Sequence, residues 1–422
     1  MKICSIILAR PESSRLPRKH TRLIGDKMEL DYIIDMCNVL SDIVVIASTN
    51  SGYKVDFEDK VDYYMSFDIP NDDINLRIKK VHQIIKADYY FIISGDCPII
   101  SKDICERMLY ELYQSKKDCT IGEGVTSTVG IEVIKGSAIN KLIETNNICM
   151  LLQPKLQKHP VVFKEKNSFR LTIDNHLDLF FHRILQKETD YTYGDVVSYL
   201  ENNPLLTNIV SNTTNTLSNM RLLLVCESNK NIGVGHLSRT IAQAEMYNQS
   251  GASVRLNVSP NEITVEFLKA RGFEYGLDYE FTDSLSPSHY DEYDFVLFDT
   301  PEKQNLSWMD FYLINPTHGV SKRLWYYKNK INKPHFGLLQ CFGLGDNQKH
   351  MRLDLVETDN NIYDSFYDKL INYKTILTTF SQTAREAMFL GLEVECYSTN
   401  KIDTYICKEL NNKKKLKWMG EI

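Results

Sequence analysis

The chain has 422 residues, of which 43% are hydrophobic and 25% charged, and its formal net charge is -6. That length exceeds one ordinary domain and predicts two or three compact units. The composition excludes a disordered class, and the acidic balance argues against a general nucleic-acid or membrane-surface binder, which needs a basic face. Ten cysteines are scattered, some within apolar stretches such as residues 3–7 and 223–227, and no C-x-x-C pair occurs. The pattern argues against zinc ribbons and thioredoxin-type exchange and for buried free thiols in a reducing compartment. The apolar run that begins the chain stops at Arg10, too soon for a signal peptide, and reads as a first buried strand. No stretch approaches the roughly 18 apolar residues of a spanning helix. A cytoplasmic location is expected, with no membrane and no nucleic-acid partner.

In chain order, strands are predicted at residues 3–8, 43–47, 89–94 and 130–135, with helices at 30–40, 73–86 and 102–114 between them. Strands separated by helical patterns of this length imply βαβ units and a largely parallel sheet. Ligands bind such sheets at the carboxyl ends of strands. Asn, Thr and Ser crowd residues 202–219, which reads as a linker. A second strand–loop–helix series starts at Arg221, with strands at 222–225, 295–298, 337–341 and 375–379 and a helix at 383–390. The predicted units are 1–205, a linker at 206–219, and 220–422, the last open to division into 220–330 and 331–422.

Three post-strand segments of the first half carry chemistry. Residues 9–19 read A-R-P-E-S-S-R-L-P-R-K, and Arg10, Ser13, Ser14, Arg15 and Lys19 supply the positive charge and hydroxyl donors that a triphosphate needs. A merely solvated loop has the same composition. Residues 94–98 read S-G-D-C-P; Asp96 at a strand's carboxyl end is placed to hold Mg²⁺, or equally to cap the helix that starts near Lys102. Residues 170–179 read R-L-T-I-D-N-H-L-D-L, with Asp174 ending a strand-like run and Asp178 in the first turn of the next helix, where its charge is favoured.

Together these segments resemble the cytidylyltransferase family that includes CMP-sialic acid and CMP-Kdo synthetases, and within it the spore coat polysaccharide biosynthesis branch. The loop at 9–19 resembles the family's A-R-x-x-S-x-R-L-P-x-K. Ser48-Thr49-Asn50 resembles A-T-S/T-N, and Asp72-Asp73-Ile74 resembles D-D-V. Gly95-Asp96-Cys97-Pro98 is identical to G-D-C-P, residues 170–174 resemble R-L-T-V-D, and 194–205 resemble the closing helix and N-P. The resemblance covers roughly residues 1–210. It implies a Rossmann-like nucleotidyltransferase that joins CMP from CTP to a sugar acid and releases pyrophosphate. Arg10, Ser13, Ser14, Arg15 and Lys19 would grip the phosphates, Ser48 and Asn50 would contact the nucleotide, and Asp96 and Asp174 would hold Mg²⁺. Arg15, Lys19, Asp96 and Asp174 thus become the implied catalytic set. Two departures stand out: the family usually carries glycine where this chain has Glu12 and Arg18, so a remodelled loop is expected.

In the second half, residues 232–239 read I-G-V-G-H-L-S-R and residues 378–387 read T-T-F-S-Q-T-A-R-E-A. Glycines at such a turn let backbone approach a ligand, and the helix N-terminus favours anions. His236 is as readily an ordinary helix-entry residue as a catalyst. In order, the two segments resemble the UDP-sugar hydrolase of pseudaminic acid synthesis and its glycosyltransferase-B relatives, with Asp299 and the loop 342–346 at further family positions. The resemblance implies that Gly233, Gly235, Thr383 and Glu386 bind the UDP of a UDP-sugar, Glu386 through the ribose hydroxyls, and that His236 is the general base. Phe380 stands where the family keeps small residues, and the region is shorter than the family norm.

The expected fold class is therefore α/β: a Rossmann-like nucleotidyltransferase domain followed by a shortened glycosyltransferase-B-like region. The expected function is CMP activation of a nonulosonic acid such as pseudaminic or legionaminic acid, fused to UDP-sugar hydrolysis. The alternatives are a catalytic first half with a second half that binds nucleotide sugars or acts as a scaffold, or a glycosyltransferase. A homodimer is compatible with the sequence and is not required by it.

Overall fold

Aliphatic and β-branched side chains fill Ile3–Leu8, which forms the first strand, β1, with Cys4, Ile6 and Ile7 fully buried, as expected of a central strand covered on both faces. The computed structural model describes residues 1–69, 73–123, 131–143, 154–163, 169–211, 213–228, 235–281, 290–299, 320–331, 336–341, 367–368 and 370–421. They form two units, Met1–Asp174 with Phe181–Asn202, and Asn175–Phe180 with Asn203–Ile422.

In the first unit β1 is followed by a small hairpin, β2 (Leu23–Ile24) and β3 (Lys27–Met28), and by α1 (Glu29–Leu40). Next come β4 (Ile43–Ser48), α2 (Lys54–Phe57), β5 (Tyr63–Ser66), α3 (Ile74–Ile84), β6 (Tyr89–Ser94) and α4 (Lys102–Gln114). Three further strands, β7 (Cys119–Glu123), β8 (Ile131–Lys135) and β9 (Lys158–Val162), precede α5 (His176–Glu188) and α6 (Tyr193–Asn202). The seven-stranded sheet runs β5-β4-β1-β6-β8-β7-β9. It is parallel through β5, β4, β1 and β6, whereas β8 runs antiparallel to both β6 and β7. The chain leaves β1 toward β4 on one side and returns to β6 on the other. That reversal opens a crevice at the carboxyl ends of β1 and β6.

Local chemistry sets the helix starts. Asp73, expected inside a helix at 73–86, instead caps α3 by accepting from the Leu76 N–H at 2.9 Å. Ser101 caps α4 by accepting from the Ile104 N–H at 3.3 Å, so Asp96 is not that helix's cap. The cysteines behave as the sequence predicts: Cys4, Cys37 and Cys119 are buried free thiols, and burial raises each to about 12.

The second unit carries two four-stranded sheets, each parallel throughout. Its elements are β10 (Arg221–Cys226), α7 (Gly235–Gln249), β11 (Ser253–Val258), α8 (Glu262–Ala270), β12 (Tyr279–Phe281), β13 (Phe295–Asp299) and α9 (Leu324–Lys330). They continue with β14 (Phe336–Cys341), β15 (Tyr373–Thr379), α10 (Gln382–Leu390), β16 (Glu393–Ser398), α11 (Lys401–Asn412) and β17 (Lys417–Glu421). The orders are β12-β11-β10-β13 and β14-β15-β16-β17. The described residues of 206–219, read from composition as a linker, are folded onto this unit. Leu206 and Ile209 are buried, Ile209 O accepts from Gln249 Nε2 at 2.8 Å, and the Thr214 and Leu217 N–H groups donate to Gln249 and Ser250. Thr207, Asn208 and Ser211 close the turns by donating to carbonyls three residues back, so these polar side chains make structure where they suggested its absence. No helix among the described residues is long and apolar enough to cross a membrane.

Candidate active site

The loop after β1 is fixed at both ends. Glu12, the first departure from the family pattern, accepts hydrogen bonds from Thr49 Oγ1 at 2.8 Å and from Asn50 Nδ2, so its charge is met by the end of β4. Arg18, the second departure, sits at φ 50°, ψ 38°, the left-handed region in which glycine is at ease, and its guanidinium reaches Asp56 at 3.0 Å. This is the remodelling that the two non-glycine residues require. Arg18→Gly is expected to stay within about 1 kcal/mol of the parent, because relief of backbone strain offsets one exposed ion pair. Arg18→Val is expected to lose about 1–2 kcal/mol in urea unfolding, since a β-branched residue is strained at this conformation.

From Arg18 the chain turns into a short 3₁₀ segment, Lys19–Thr21, which points the Lys19 side chain into the crevice. Its ammonium lies 3.3 Å from Asp96 Oδ2, 3.6 Å from Asp174 Oδ1 and donates to Ile173 O at 3.0 Å. The Ile173 N–H in turn donates to Asp96 O at 2.9 Å, which stitches the 170–174 segment onto the turn after β6. Asp174 is further paired with Arg15 at 3.1 Å and Arg170 at 2.8 Å, and Asp96 accepts from Ser94 Oγ at 2.5 Å. Residues far apart in sequence, Arg15, Lys19, Asp96, Arg170 and Asp174, therefore meet at one place.

The electrostatics follow from this packing. Burial by itself would raise the Asp96 carboxyl, but the Lys19 ammonium, the Ser94 hydroxyl and His20 hold it well below the usual carboxylate range. Burial likewise opposes the Lys19 charge, and Asp96 and Asp174, with Glu29 behind them, keep its pKa above the ordinary value. Lys19 is therefore the counter-ion of both carboxylates. Ser13 accepts from the Leu16 N–H at 3.3 Å. Arg10 and Ser14 are exposed and Ser48 is buried. Asn50, besides holding Glu12, accepts from the Gly52 N–H at 2.7 Å. Two features escaped the sequence reading: Arg170, quoted only as part of a motif, and the burial of Glu29 against His20, a residue noted only within the basic run Arg15, Arg18, Lys19 and His20. Among the described residues no group of three or more His, Cys, Asp or Glu gathers to hold a metal. The set at Asp96 and Asp174 has two carboxylates, the number Mg²⁺ commonly takes from protein.

In the second unit the two singled-out segments lie side by side. Gly235 begins α7, where a side-chain Cβ would stand 3.9 Å from Gln382 Cβ at the start of α10, and Ser238 Oγ donates to Glu386 Oε1 at 3.2 Å. Glu386 is buried and also accepts from Tyr367 OH at 2.9 Å; burial pushes its carboxyl up against the pull of Tyr367 and Arg271. Thr383 is half-buried on the same helix. His236 Nδ1 lies 2.9 Å from Arg239 Nη2. A guanidinium only donates, so Nδ1 is the acceptor in this contact. Phe380 sits at the strand-to-helix turn with its N–H on Tyr397 O at 2.9 Å. Gly233, the loop 342–346 and the side chain of Asp299 lie outside the described residues.

Comparison with known proteins agrees with the chemistry of the first unit. Residues 4–193 match the family model described as cytidylyltransferase. An uncharacterized protein of Methanocaldococcus jannaschii is 24% identical over 235 residues, which is 50% of this chain and 96% of that protein. Among solved structures, a cytidylyltransferase from Leptospira borgpetersenii is 21% identical with a TM-score of 0.41, over 49% of this chain and 97% of that one. A CMP:2-keto-3-deoxy-manno-octonic acid synthetase complexed with CTP is 16% identical with a TM-score of 0.36, over 44% of this chain and 99% of that one.

Proposed function

Since residues 4–193 are a cytidylyltransferase domain, we propose that the first unit transfers CMP from CTP to the anomeric hydroxyl of a sugar acid, a nonulosonic acid in the leading reading, with release of pyrophosphate. The observation that carries this is the convergence of Asp96 and Asp174 on Lys19, flanked by Arg15 and Arg170. Arg10, Arg15 and Lys19 would bind the triphosphate with Ser13 and Ser14, and Ser48 and Asn50, at and just past the end of β4, would contact the nucleotide. Asp96 and Asp174 would hold Mg²⁺, which supplies positive charge to phosphate oxygens. Lys19 and Arg15 would stabilise the charge that grows on the departing pyrophosphate. No residue needs to form a covalent intermediate; the chain's contribution is orientation and preset charge.

The test is pyrophosphate release from CTP with a panel of nine-carbon sugar acids and a sugar phosphate. Release with a sugar acid is the expected result. Release with the sugar phosphate alone would move the unit to another pyrophosphorylase class.

For the second unit, the Arg239–His236 contact favours the binding role over hydrolysis. In this reading it holds a nucleotide sugar and does not cleave it. The expectation is heat on titration with a UDP-sugar and no UDP release over hours. Steady UDP production that His236→Ala abolishes would restore the hydrolase reading.

A further inference from the structure

Directly behind the Lys19–Asp96 pair lies a second pair of ionisable groups that the transfer reaction does not use. His20 Nδ1 and Glu29 Oε2 are 2.8 Å apart, with side chains 2% and 0% exposed. His20 follows Lys19 in the 3₁₀ segment, and Glu29 is the first residue of α1, where a carboxylate is favoured by the helix N-terminus. The Glu29 N–H donates to Arg22 O at 2.9 Å and closes the loop around the pair. Tyr53 packs edge-on against the imidazole, ring centres 5.4 Å apart. On the side facing β6, the imidazole edge rests on the turn that carries Asp96: a Cβ at Gly95 would stand 3.1 Å from His20 Cε1 and 2.8 Å from Leu8 O. Gly95 thus has room for no side chain, and the histidine ring fills the space between the Lys19 segment and the Gly95–Asp96 turn.

Stability alone does not account for such a pair, because well-packed apolar residues in place of a buried ion pair are often neutral or stabilising. What an imidazole–carboxylate pair adds over two leucines is a fixed ring orientation. That orientation matters where the ring touches the backbone next to one site residue and directly follows another. We propose that His20 and Glu29 are positioning residues that hold the Lys19 ammonium and the Asp96 carboxylate in register. For its kinetic consequences the inference rests on the cytidylyl-transfer reading; for the placement of Lys19 it does not.

The experiment compares the full-length protein with His20→Leu/Glu29→Leu and with Glu29→Gln, which keeps a hydrogen-bond partner for the imidazole. Folding is checked by circular dichroism and thermal unfolding. The double variant is expected to unfold near the parent temperature and to show kcat about 100-fold lower, with KM for CTP little changed, since small misplacement costs that much. Glu29→Gln is expected to recover most of kcat. Reductive methylation, read residue by residue by mass spectrometry, gives an arm free of activity. Lys19, with a side chain 11% exposed, is expected to react slowly in the parent and about as fast as Lys54 in the double variant, the Lys54 side chain being 53% exposed. Should the double variant not fold, His20→Asn withdraws the ring from Gly95, keeps a donor to Glu29, and is expected to give the same gain in Lys19 labelling. A folded variant with Lys19 as protected as in the parent overturns the proposal. A parent protein that releases no pyrophosphate with any sugar acid overturns the transfer reading instead, and the labelling arm still decides this one.

Discussion

Asp96→Asn is expected to lower CTP-dependent pyrophosphate release about 1,000-fold while the first unit stays folded. The substitution keeps the shape of the side chain and an oxygen for Ser94 Oγ, which now lies 2.5 Å from the carboxylate. It removes the charge that would hold the divalent cation and that balances Lys19 at 3.3 Å. Lys19 keeps Asp174 and Ile173 O as partners, so no unpaired buried charge is created. CTP titrations with and without Mg²⁺ separate the parts of the effect: the metal-dependent component should vanish and a weaker metal-independent one remain. Turnover within tenfold of the parent would remove Asp96 from the mechanism.

The same carboxylate predicts a pH dependence of stability, and its sign is fixed. The Asp96 carboxyl is held below its ordinary range in the folded protein, so the folded state binds fewer protons there than the unfolded chain. Its stabilising contribution is complete above the unfolded carboxyl pKa of about 4 and is lost as pH falls toward the depressed folded value. The difference in urea stability between the parent and Asp96→Asn should therefore be constant from pH 8 to about 5 and shrink below about 4. A difference that grows on acidification would contradict the Lys19–Asp96 pairing.

How far the sequence could be read depended on whether a feature is local. β1 and β6 were plain because each is a continuous apolar run buried on both faces, and a helix was expected at the span of α4 because its apolar positions recur at helical spacing. The strands β7 and β9 were not, since β9 pairs with a strand nearly forty residues earlier and nothing in its own five residues announces that partner. Asp96 and Asp174 were found by their position after strand-like runs. Arg15 was nominated for the phosphates and the catalytic set, but its pairing with Asp174, distant in sequence, was not legible. Glu29 gave no signal: an acid at a helix start is ordinary, and only the fold puts His20 against it. In the second unit the family-like segments at α7 and α10 were visible, but the contact of His236 with Arg239 one helical turn away was not noted. That i,i+3 spacing was in the sequence and was passed over.

Lys19→Met tests the arrangement from the cation's side. It removes the ammonium that Asp96 and Asp174 share, and leaves Asp174 to the guanidiniums of Arg15 and Arg170 and Asp96 without its 3.3 Å cationic partner. Each carboxylate side chain is 25% exposed, so the cost should fall below that of a fully buried broken pair, at about 2 kcal/mol in metal-free buffer. Transfer activity should be lost as well, because the phosphates lose their central ammonium. The distinguishing expectation concerns metal. With the lysine gone, a divalent cation meets two carboxylates whose internal counter-ion has been removed, so Mg²⁺ should bind the variant more tightly than it binds the nucleotide-free parent. Linkage then predicts that millimolar Mg²⁺ returns much of the loss, about 2–3 kcal/mol when the cation is at roughly 100 times its dissociation constant. Thermal unfolding with and without Mg²⁺ reads this directly, and adding Asp174→Asn should erase the rescue. Unfolding temperatures of Lys19→Met that do not respond to Mg²⁺ would mean that the two carboxylates cannot share a cation, and the metal assignment at Asp96 and Asp174 would fall with that result.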